Sequence, residues 1–404
     1  MSLSGRSLLL GVSGGIAAYK SAELVRTLIR SGASVQVVMT QNAARFITPL
    51  TLQVLSGQPV CLDLFDLQAE SQIGHIEAAR AAELAVVAPA TANTIAKMAA
   101  GMADDYLTTA ILATTAPVLV CPAMNVRMFE HPATQRNLRT LKDLGHHVLD
   151  PDVGSMACKE EGAGRLADLS KIMEKIEQLL ARPSLRGMKV LISAGPTWEP
   201  FDPVRFITNP SSGKMGFALA RVAVRRSAEV HLVTGPVSLA PPSGVFLHRV
   251  VTAREMQRRV EELAGDMDVI IMSAAVGDYR PSHVAPQKVK KLEGRQEVVL
   301  EKNPDILLAL GQAGKGSKCR ALVGFAAETE NLLENAREKL EKKNLDFIVA
   351  NNLTQSGSGF ATDTNQVKIL DRSGKVLELP FMTKEEVAER IWDQVELILE
   401  AKTP

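Results

Sequence analysis

Four cysteines are scattered through 404 residues, at 61, 121, 158 and 319, and no C-x-x-C pair occurs among them. That spacing argues against a zinc site or a disulfide framework, so a cysteine that matters acts as a thiol. Neither sign of charge prevails, because 46 lysines and arginines meet 45 aspartates and glutamates for a formal net charge of +1. No global field draws the chain to nucleic acid or anionic lipid, and small polar ligands are the expected partners. No apolar run reaches the roughly 18 residues of a membrane span. The opening Met1-Ser-Leu-Ser-Gly-Arg6 runs into a strand rather than a secretion signal, which gives the expectation of a cytoplasmic protein.

What the chain does have is a repeated α/β rhythm. Its length exceeds what one hydrophobic core organises, so two domains of about 150–220 residues are expected. Ser7–Val12, Ser34–Met39, Leu84–Ala88 and Val118–Cys121 read as buried strands, with helices over Ile16–Arg30, Thr94–Ala99 and Tyr106–Thr115. Buried strands alternating with helices mean a parallel sheet covered on both faces. After a helix at Leu169–Leu180, a short polar run with Pro183 marks the boundary, giving domains 1–182 and 188–404 joined by a linker at 183–187. The second domain starts a new cycle: strands Lys189–Ser193, Glu229–Thr234, Val269–Ser273, Ala321–Phe325 and Phe347–Ala350, with helices Lys214–Arg226, Ala253–Ala264 and Asn331–Lys343. A hairpin, Gln366–Leu370 with Lys375–Glu378, and a helix over Thr383–Ala401 close it. The fold class is α/β, two doubly wound, Rossmann-like domains, the first flavodoxin-like.

Each domain opens on a glycine-rich strand-to-helix turn, Gly11-Val-Ser-Gly-Gly15 in the first, Ser193-Ala-Gly-Pro-Thr197 with Ser211-Ser-Gly-Lys-Met-Gly216 in the second. Such turns let backbone N–H groups and a helix N-terminus meet a phosphate. Neither is a complete signature: the first lacks the G-x-G-x-x-G spacing, and Gly213-Lys214 lacks the upstream glycine and following Ser/Thr of a P-loop. Their neighbours must name the ligands. In the first domain Thr40, Thr91 and Asn93 follow strands and should emerge at the carboxyl edge of the sheet, where ligands bind. Taken alone, Thr40 or Asn93 reads first as a helix cap; together with Gly14 and Gly15 they read as a cradle for a phosphate and a ring. His75, in Ile73-Gly-His-Ile-Glu77, fits a surface or cap residue or a proton carrier. Asn125 leaves the next strand, as a turn former or a ligand contact. Cys158 lies in a glycine-rich stretch, Gly154–Arg165, whose composition indicates a mobile flap.

Gly14-Gly15-Ile-Ala-Ala18, His75-Ile-Glu77, Pro89-Ala-Thr-Ala-Asn-Thr94, Pro122-Ala-Met-Asn125 with Met128, and Ala157-Cys158 together closely resemble the FMN-containing cysteine decarboxylase family. The resemblance implies that Gly14, Gly15, Thr40, Thr91 and Asn93 bind FMN, His75 is the catalytic base, Asn125 holds the substrate carboxylate and Cys158 protonates the product. Phe129 stands where the family motif commonly has tryptophan. The implied chemistry oxidises the substrate thiol to a thioaldehyde, which accepts the electrons that carbon dioxide leaves behind. Loss of carbon dioxide leaves an enethiolate, and the reduced flavin, which carries the two electrons of the first oxidation, returns it with a proton from Cys158 to a saturated thiol.

In the second half, Ser273-Ala-Ala-Val-Gly-Asp278 leaves a strand, Lys288-Val-Lys-Lys291 follows closely, and Lys339 and Lys343 share one side of a helix. Solvated surface explains the lysines as readily as a nucleotide does. With Asn303-Pro-Asp-Ile-Leu307, Gly324-Phe-Ala-Ala-Glu-Thr329 and Ala350-Asn-Asn352, the pattern resembles the phosphopantothenate–cysteine ligase domain. The order of the two halves is similar to that of the bacterial bifunctional phosphopantothenoylcysteine decarboxylase/phosphopantothenate–cysteine ligases of coenzyme A synthesis. That resemblance implies substrates phosphopantothenate, L-cysteine and CTP, with Mg²⁺ and an acyl-cytidylate intermediate. It assigns CTP contacts to Ser273, Ala274, Ala275, Asp278, Lys288, Pro304, Asp305, Ile306, Leu307, Phe325, Lys339 and Lys343. Asp278 is also the candidate Mg²⁺ ligand, Lys288 neutralises the α-phosphate, and Asn209 serves conversion of the acyl-cytidylate. It further implies a homo-oligomer, with trimeric decarboxylase contacts, dimeric ligase contacts and possible dodecamers. An FMN-binding regulatory subunit without catalysis, or a flavin enzyme with another substrate, are the alternatives. Retention of His75, Asn125, Cys158 and Lys288 argues against the first, and the ligase-like half against the second.

Overall fold

The computed structural model describes residues 3–64, 79–155, 161–290, 297–313, 318–328, 331–352 and 362–402. The chain divides into two units, Met1–Ala181 and Arg182–Pro404.

The first unit begins β1 (Ser7–Val12), a 3-10 turn (Ile16–Tyr19), α1 (Lys20–Arg30), β2 (Ser34–Met39) and α2 (Pro49–Ser56). The continuous helix expected over Ile16–Arg30 is therefore split: Gly15 sets the chain in extended backbone, and one tight turn precedes the α-helix. The unit continues with β3 (Leu84–Ala90), α3 (Ala92–Ala99), α4 (Tyr106–Ala113), β4 (Val118–Pro122), α5 (Val126–Glu130), α6 (Pro132–Asp143) and β5 (His147–Val148). A ribbon of β6 (Asp152–Ser155) and β7 (Glu161–Arg165), then α7 (Leu169–Leu180), completes it. Its five-stranded sheet has the order β2-β1-β3-β4-β5 and is parallel throughout. All seven residues of β3 are buried, because α1 and α7 cover one face of the sheet and α3, α4 and α6 the other.

In the second unit β8 (Lys189–Ala194) leads to a short ribbon, β9 (Trp198–Pro200) and β10 (Phe206–Thr208), then α8 (Lys214–Arg225), β11 (Glu229–Thr234), β12 (Val245–Arg249), α9 (Ala253–Ala264) and β13 (Val269–Met272). There follow β14 (Tyr279–Pro281), β15 (Leu300–Lys302), α10 (Ile306–Gln312), β16 (Ala321–Glu328), α11 (Leu332–Lys342) and β17 (Phe347–Asn352). The chain ends with β18 (Thr364–Asn365), β19 (Val367–Asp371), β20 (Val376–Glu378), β21 (Met382–Thr383) and α12 (Lys384–Ala401). The main sheet runs β12-β11-β8-β13-β16-β17-β19-β20. Its first six strands are parallel and its last two antiparallel, as the expected hairpin requires. Helices α8 and α12 build the core on one face, and α9, α10 and α11 build it on the other.

These strand orders fix where ligands can enter. Each sheet grows in one direction from its first strand and then in the other, so a crevice opens where the direction switches: between β1 and β3, and between β8 and β13. Helix α8 comes so close to the second crevice that a Cβ on Gly216 would lie 2.5 Å from Ala194 Cβ and 2.8 Å from Ser273 Oγ. Gly216→Ala is therefore expected to cost about 1–3 kcal/mol through overpacking. The measurement is the urea midpoint of the C-terminal transition, and an unchanged midpoint would refute the packing argument.

Candidate active sites

The first crevice is pinned by a buried serine. Ser13 Oγ donates to Pro89 O at 2.7 Å and accepts from Thr91 N at 2.9 Å, tying the carboxyl ends of β1 and β3 together. Thr91 caps α3, its Oγ1 accepting from Thr94 N at 3.4 Å, while Thr40 Oγ1 accepts from Ala43 N at 3.2 Å. Asn125 caps α5 through Oδ1, which accepts from Arg127 N at 2.8 Å. Thr91 and Asn125 thus each cap a helix and line the same cavity. Asn93 is no cap; it is the second residue of α3 and exposed.

A cavity of about 1200 Å³ lies at this crevice, and Gly14, Gly15, Thr40, Thr91, Asn93 and Asn125 all line it. The two glycines differ in purpose. A Cβ on Gly14 would sit 2.5 Å from Asn42 Cβ, so this glycine lets two chain segments touch. At Gly15 the nearest atom is Thr91 Cγ2 at 3.5 Å, so its backbone lies open to a ligand. Lys97 also lines the wall, paired with Asp104 at 2.8 Å and Asp105 at 3.0 Å. The Asp104 contact foremost raises its pKa. His75 and Cys158 lie outside the described residues. Of the other cysteines, Cys121 and Cys319 are buried and Cys61 is half-buried. Burial pushes the Cys121 thiol up to about 12 and raises that of Cys61, and none of the three lines this cavity.

The second crevice is held by a similar device. Ser273 Oγ donates to Ser193 O at 2.6 Å, and Ala274 N donates to Ser193 Oγ at 3.1 Å. The loop after β13 is fixed further by Gly277 N donating to Thr197 Oγ1 at 3.0 Å and Asn209 Nδ2 donating to Val276 O at 3.1 Å. Asn303 Nδ2 donates to Gly277 O at 2.8 Å, which brings the Pro304–Leu307 turn alongside. Asp305 caps α10, accepting from Leu308 N at 3.0 Å, and pairs with Lys343 at 2.9 Å.

A cavity of about 760 Å³ is lined by Asn209, Ser273, Ala274, Ala275, Asp278, Pro304, Asp305, Ile306, Leu307, Phe325, Lys339 and Lys343, every described residue expected there except one. That one is Lys288, which is exposed on a loop away from the lining. Its loop is docked through the next residue: Val289 N donates to the buried Asp202 carboxylate at 3.1 Å, and Arg205 donates to Val289 O at 2.8 Å. Arg205 foremost, aided by backbone N–H groups, holds the Asp202 carboxyl well below the usual range against the opposing effect of burial. Lys214, within the Ser211–Gly216 turn, lines this cavity as well, and sequence reading missed Lys302, Asn365 and Lys384, which also line it. Five lysines thus face two aspartates, Asp278 and Asp305, around one opening. Among the described residues no three His, Cys, Asp or Glu side chains gather as a metal site, and no helix is long and apolar enough to cross a membrane.

Fold and cavities define a protein of two doubly wound α/β units, each with a ligand-sized opening at its own switch point. Residues 1–181 match the family described as Flavoprotein, and residues 185–398 match the DNA/pantothenate metabolism flavoprotein C-terminal domain. The coenzyme A biosynthesis bifunctional protein CoaBC of Vibrio cholerae is 47% identical over 392 residues, covering 96% of this chain and 98% of its own. That of Bacillus subtilis is 46% identical over 398 residues, covering 97% of each. A solved C-terminal domain of a CoaBC protein is 43% identical over 55% of this chain and all of its own, with a TM-score of 0.47. The chain belongs to the family of coenzyme A biosynthesis bifunctional proteins CoaBC.

Proposed function

We propose that the C-terminal unit joins phosphopantothenate to L-cysteine with CTP, and that the N-terminal unit decarboxylates the phosphopantothenoylcysteine so formed to phosphopantetheine with FMN. The observation that carries this reading is the pair of cavities, one at each switch point and lined by the described site residues apart from Lys288.

In the C-terminal unit, five lysines suit a triphosphate and a second phosphorylated substrate. Asp278 is the carboxylate available to a Mg²⁺ ion, which commonly takes one or two carboxylates and completes its shell with substrate phosphates and water. The family resemblance assigns neutralisation of charge at the α-phosphate to Lys288, whose loop lies outside the described lining, and Asn209, anchored on Val276 O, serves attack by the cysteine amine on the acyl-cytidylate. In the N-terminal unit the open Gly15 backbone and the roomy cavity fit a flavin phosphate and ring, held by Gly14, Gly15, Thr40, Thr91 and Asn93. When bound, the flavin supplies the two-electron oxidation that makes the carboxylate labile. Asn125 orients that carboxylate, His75 takes a proton, and Cys158 returns one to the product. The reading places the protein in the cytoplasm, as a homo-oligomer with trimeric decarboxylase contacts and dimeric ligase contacts.

The test supplies phosphopantothenate, cysteine, CTP and Mg²⁺ to purified protein and follows CMP, pyrophosphate, phosphopantothenoylcysteine and phosphopantetheine by mass spectrometry. All four are expected. Absence of CMP would sink the ligase assignment, and accumulation of phosphopantothenoylcysteine without phosphopantetheine would sink the decarboxylase.

A further inference from the structure

The lysines around the C-terminal cavity are not equally engaged. Lys214 pairs with Asp363, Lys343 pairs with Asp305, and Lys384 donates to Thr362 O. The ammonium of Lys302 has neither an ion pair nor a hydrogen bond among the described residues. Its backbone, by contrast, is firmly held. In the antiparallel ribbon of β14 and β15, Tyr279 lies opposite Lys302, and both residues line the cavity. Arg280 donates to Lys302 O at 2.6 Å, to Asn303 Oδ1 at 3.2 Å and to Glu301 at 2.9 Å. Alternation along β15 puts Glu301 on the face opposite to that of Lys302. The result is an unpaired cation on a fixed stem at the cavity wall.

Lys302 also stands beside the residue given to the last step of ligation. Asn303 Nδ2 donates to Gly277 O at 2.8 Å and Asn209 Nδ2 to Val276 O at 3.1 Å, so Asn209 and the residue after Lys302 grip successive carbonyls of one turn. The amino acid whose amine attacks beside Asn209 carries its carboxylate on the same carbon, so that anion must come to rest near this turn as well. Asp278 ends the turn, and two phosphorylated substrates share the cavity, so a further anion there needs a cation of its own. The guanidiniums nearby are committed, Arg280 to Glu301 and Arg205 to Asp202.

We infer that Lys302 receives the α-carboxylate of L-cysteine and so makes the ligation selective for an amino acid over a simple amine. The inference rests on the ligase reading above and leaves the phosphates to the other lysines. The selection serves the whole chain, because the carboxylate that Lys302 selects is the one that the N-terminal unit removes in that reading.

The test compares L-cysteine with cysteamine, which has the same thiol and amine but no carboxylate, in the full-length protein and its Lys302→Met and Lys302→Arg variants. All of β15 is exposed, so neither change threatens the fold. Pyrophosphate release from CTP and phosphopantothenate, measured without either amine, reports activation of the acid; CMP release after the amine is added reports its capture. Lys302→Met should raise the KM for cysteine about 10- to 100-fold, the loss expected when a charge-assisted contact goes, with pyrophosphate release and the kcat/KM for cysteamine unchanged. Lys302→Arg should recover most of the loss, because the charge is kept. An unchanged KM for cysteine would overturn the inference. So would an equal loss with cysteamine, which would make Lys302 a support for the turn, and so would slowed pyrophosphate release, which would assign it to a phosphate. Absence of both pyrophosphate and CMP from the unmodified protein would overturn the ligase reading itself.

Discussion

A His75→Asn protein is expected to lose carbon dioxide release by about 10²- to 10⁴-fold, the usual contribution of a positioned acid or base, while CMP release stays at the level of the unmodified enzyme. The argument has two steps. Imidazole titrates near neutrality and can take a proton at working pH, whereas the asparagine amide keeps similar size and hydrogen bonding but cannot. The chemistry of each unit, moreover, is built around its own crevice: Ser13 and Thr91 fix the first, Ser193 and Ser273 the second. Decarboxylation is measured on supplied phosphopantothenoylcysteine and ligation as CMP formation, with the flavin absorbance as a check that the cofactor is retained. Loss of both activities in a protein of unchanged melting temperature would contradict separate sites. Retained decarboxylation would remove His75 from the mechanism.

The strands were legible because each is a short apolar run ended by a turn, and β1, β2 and β11 fall on the residues the pattern predicts. The ribbons were not. Trp198–Pro200 and Phe206–Thr208 have three residues each, too few to show a period, and their pairing includes a Trp198–Phe206 stack at 4.1 Å that no local pattern announces. Helix α10 was hidden for a related reason, since Ile306–Gln312 is a short apolar run that fits strand or helix alike. Site residues divide the same way. Those in motifs, such as Gly15, Asn93 and Asp305, line the cavities at which the sequence placed them, while Gly14 proves to pack closely against Asn42. Lys384 could not, because a lysine in the first turn of an amphipathic helix reads as solvated surface. Its burial shows only in the folded chain, where its ammonium donates to Thr362 O.

Arg226→Ala is expected to destabilise the C-terminal unit by about 2–4 kcal/mol, because it removes one of two arginines, with Arg225, that tie α8 to carboxylates of α12. Arg226 follows the last turn of α8, where the helix dipole favours positive charge. Its guanidinium reaches Glu389 at 2.5 Å, Glu396 at 2.6 Å and Asp393 at 2.8 Å, with 12% of the side chain exposed. Burial opposes its charge, but the three carboxylates outweigh that and raise its pKa. The expected cost lies below that of a fully buried pair because the acids keep 19–42% of their side-chain exposure and regain water once the partner is gone. Neighbouring apolar packing persists, since Trp392 is fully buried and donates to Leu219 O at 3.0 Å. Urea unfolding followed by tryptophan fluorescence reads the change. Glu396→Gln should cost less than Arg226→Ala, as it leaves two carboxylates on the arginine. A midpoint unchanged in Arg226→Ala would show that the apolar contacts and the Arg225 pairs with Glu385 and Glu389 hold the two helices without it. Because α8 and α12 begin with Lys214 and Lys384, loosening this clamp should lower ligation at elevated temperature before it lowers decarboxylation. Simultaneous loss of the two activities would argue against that coupling.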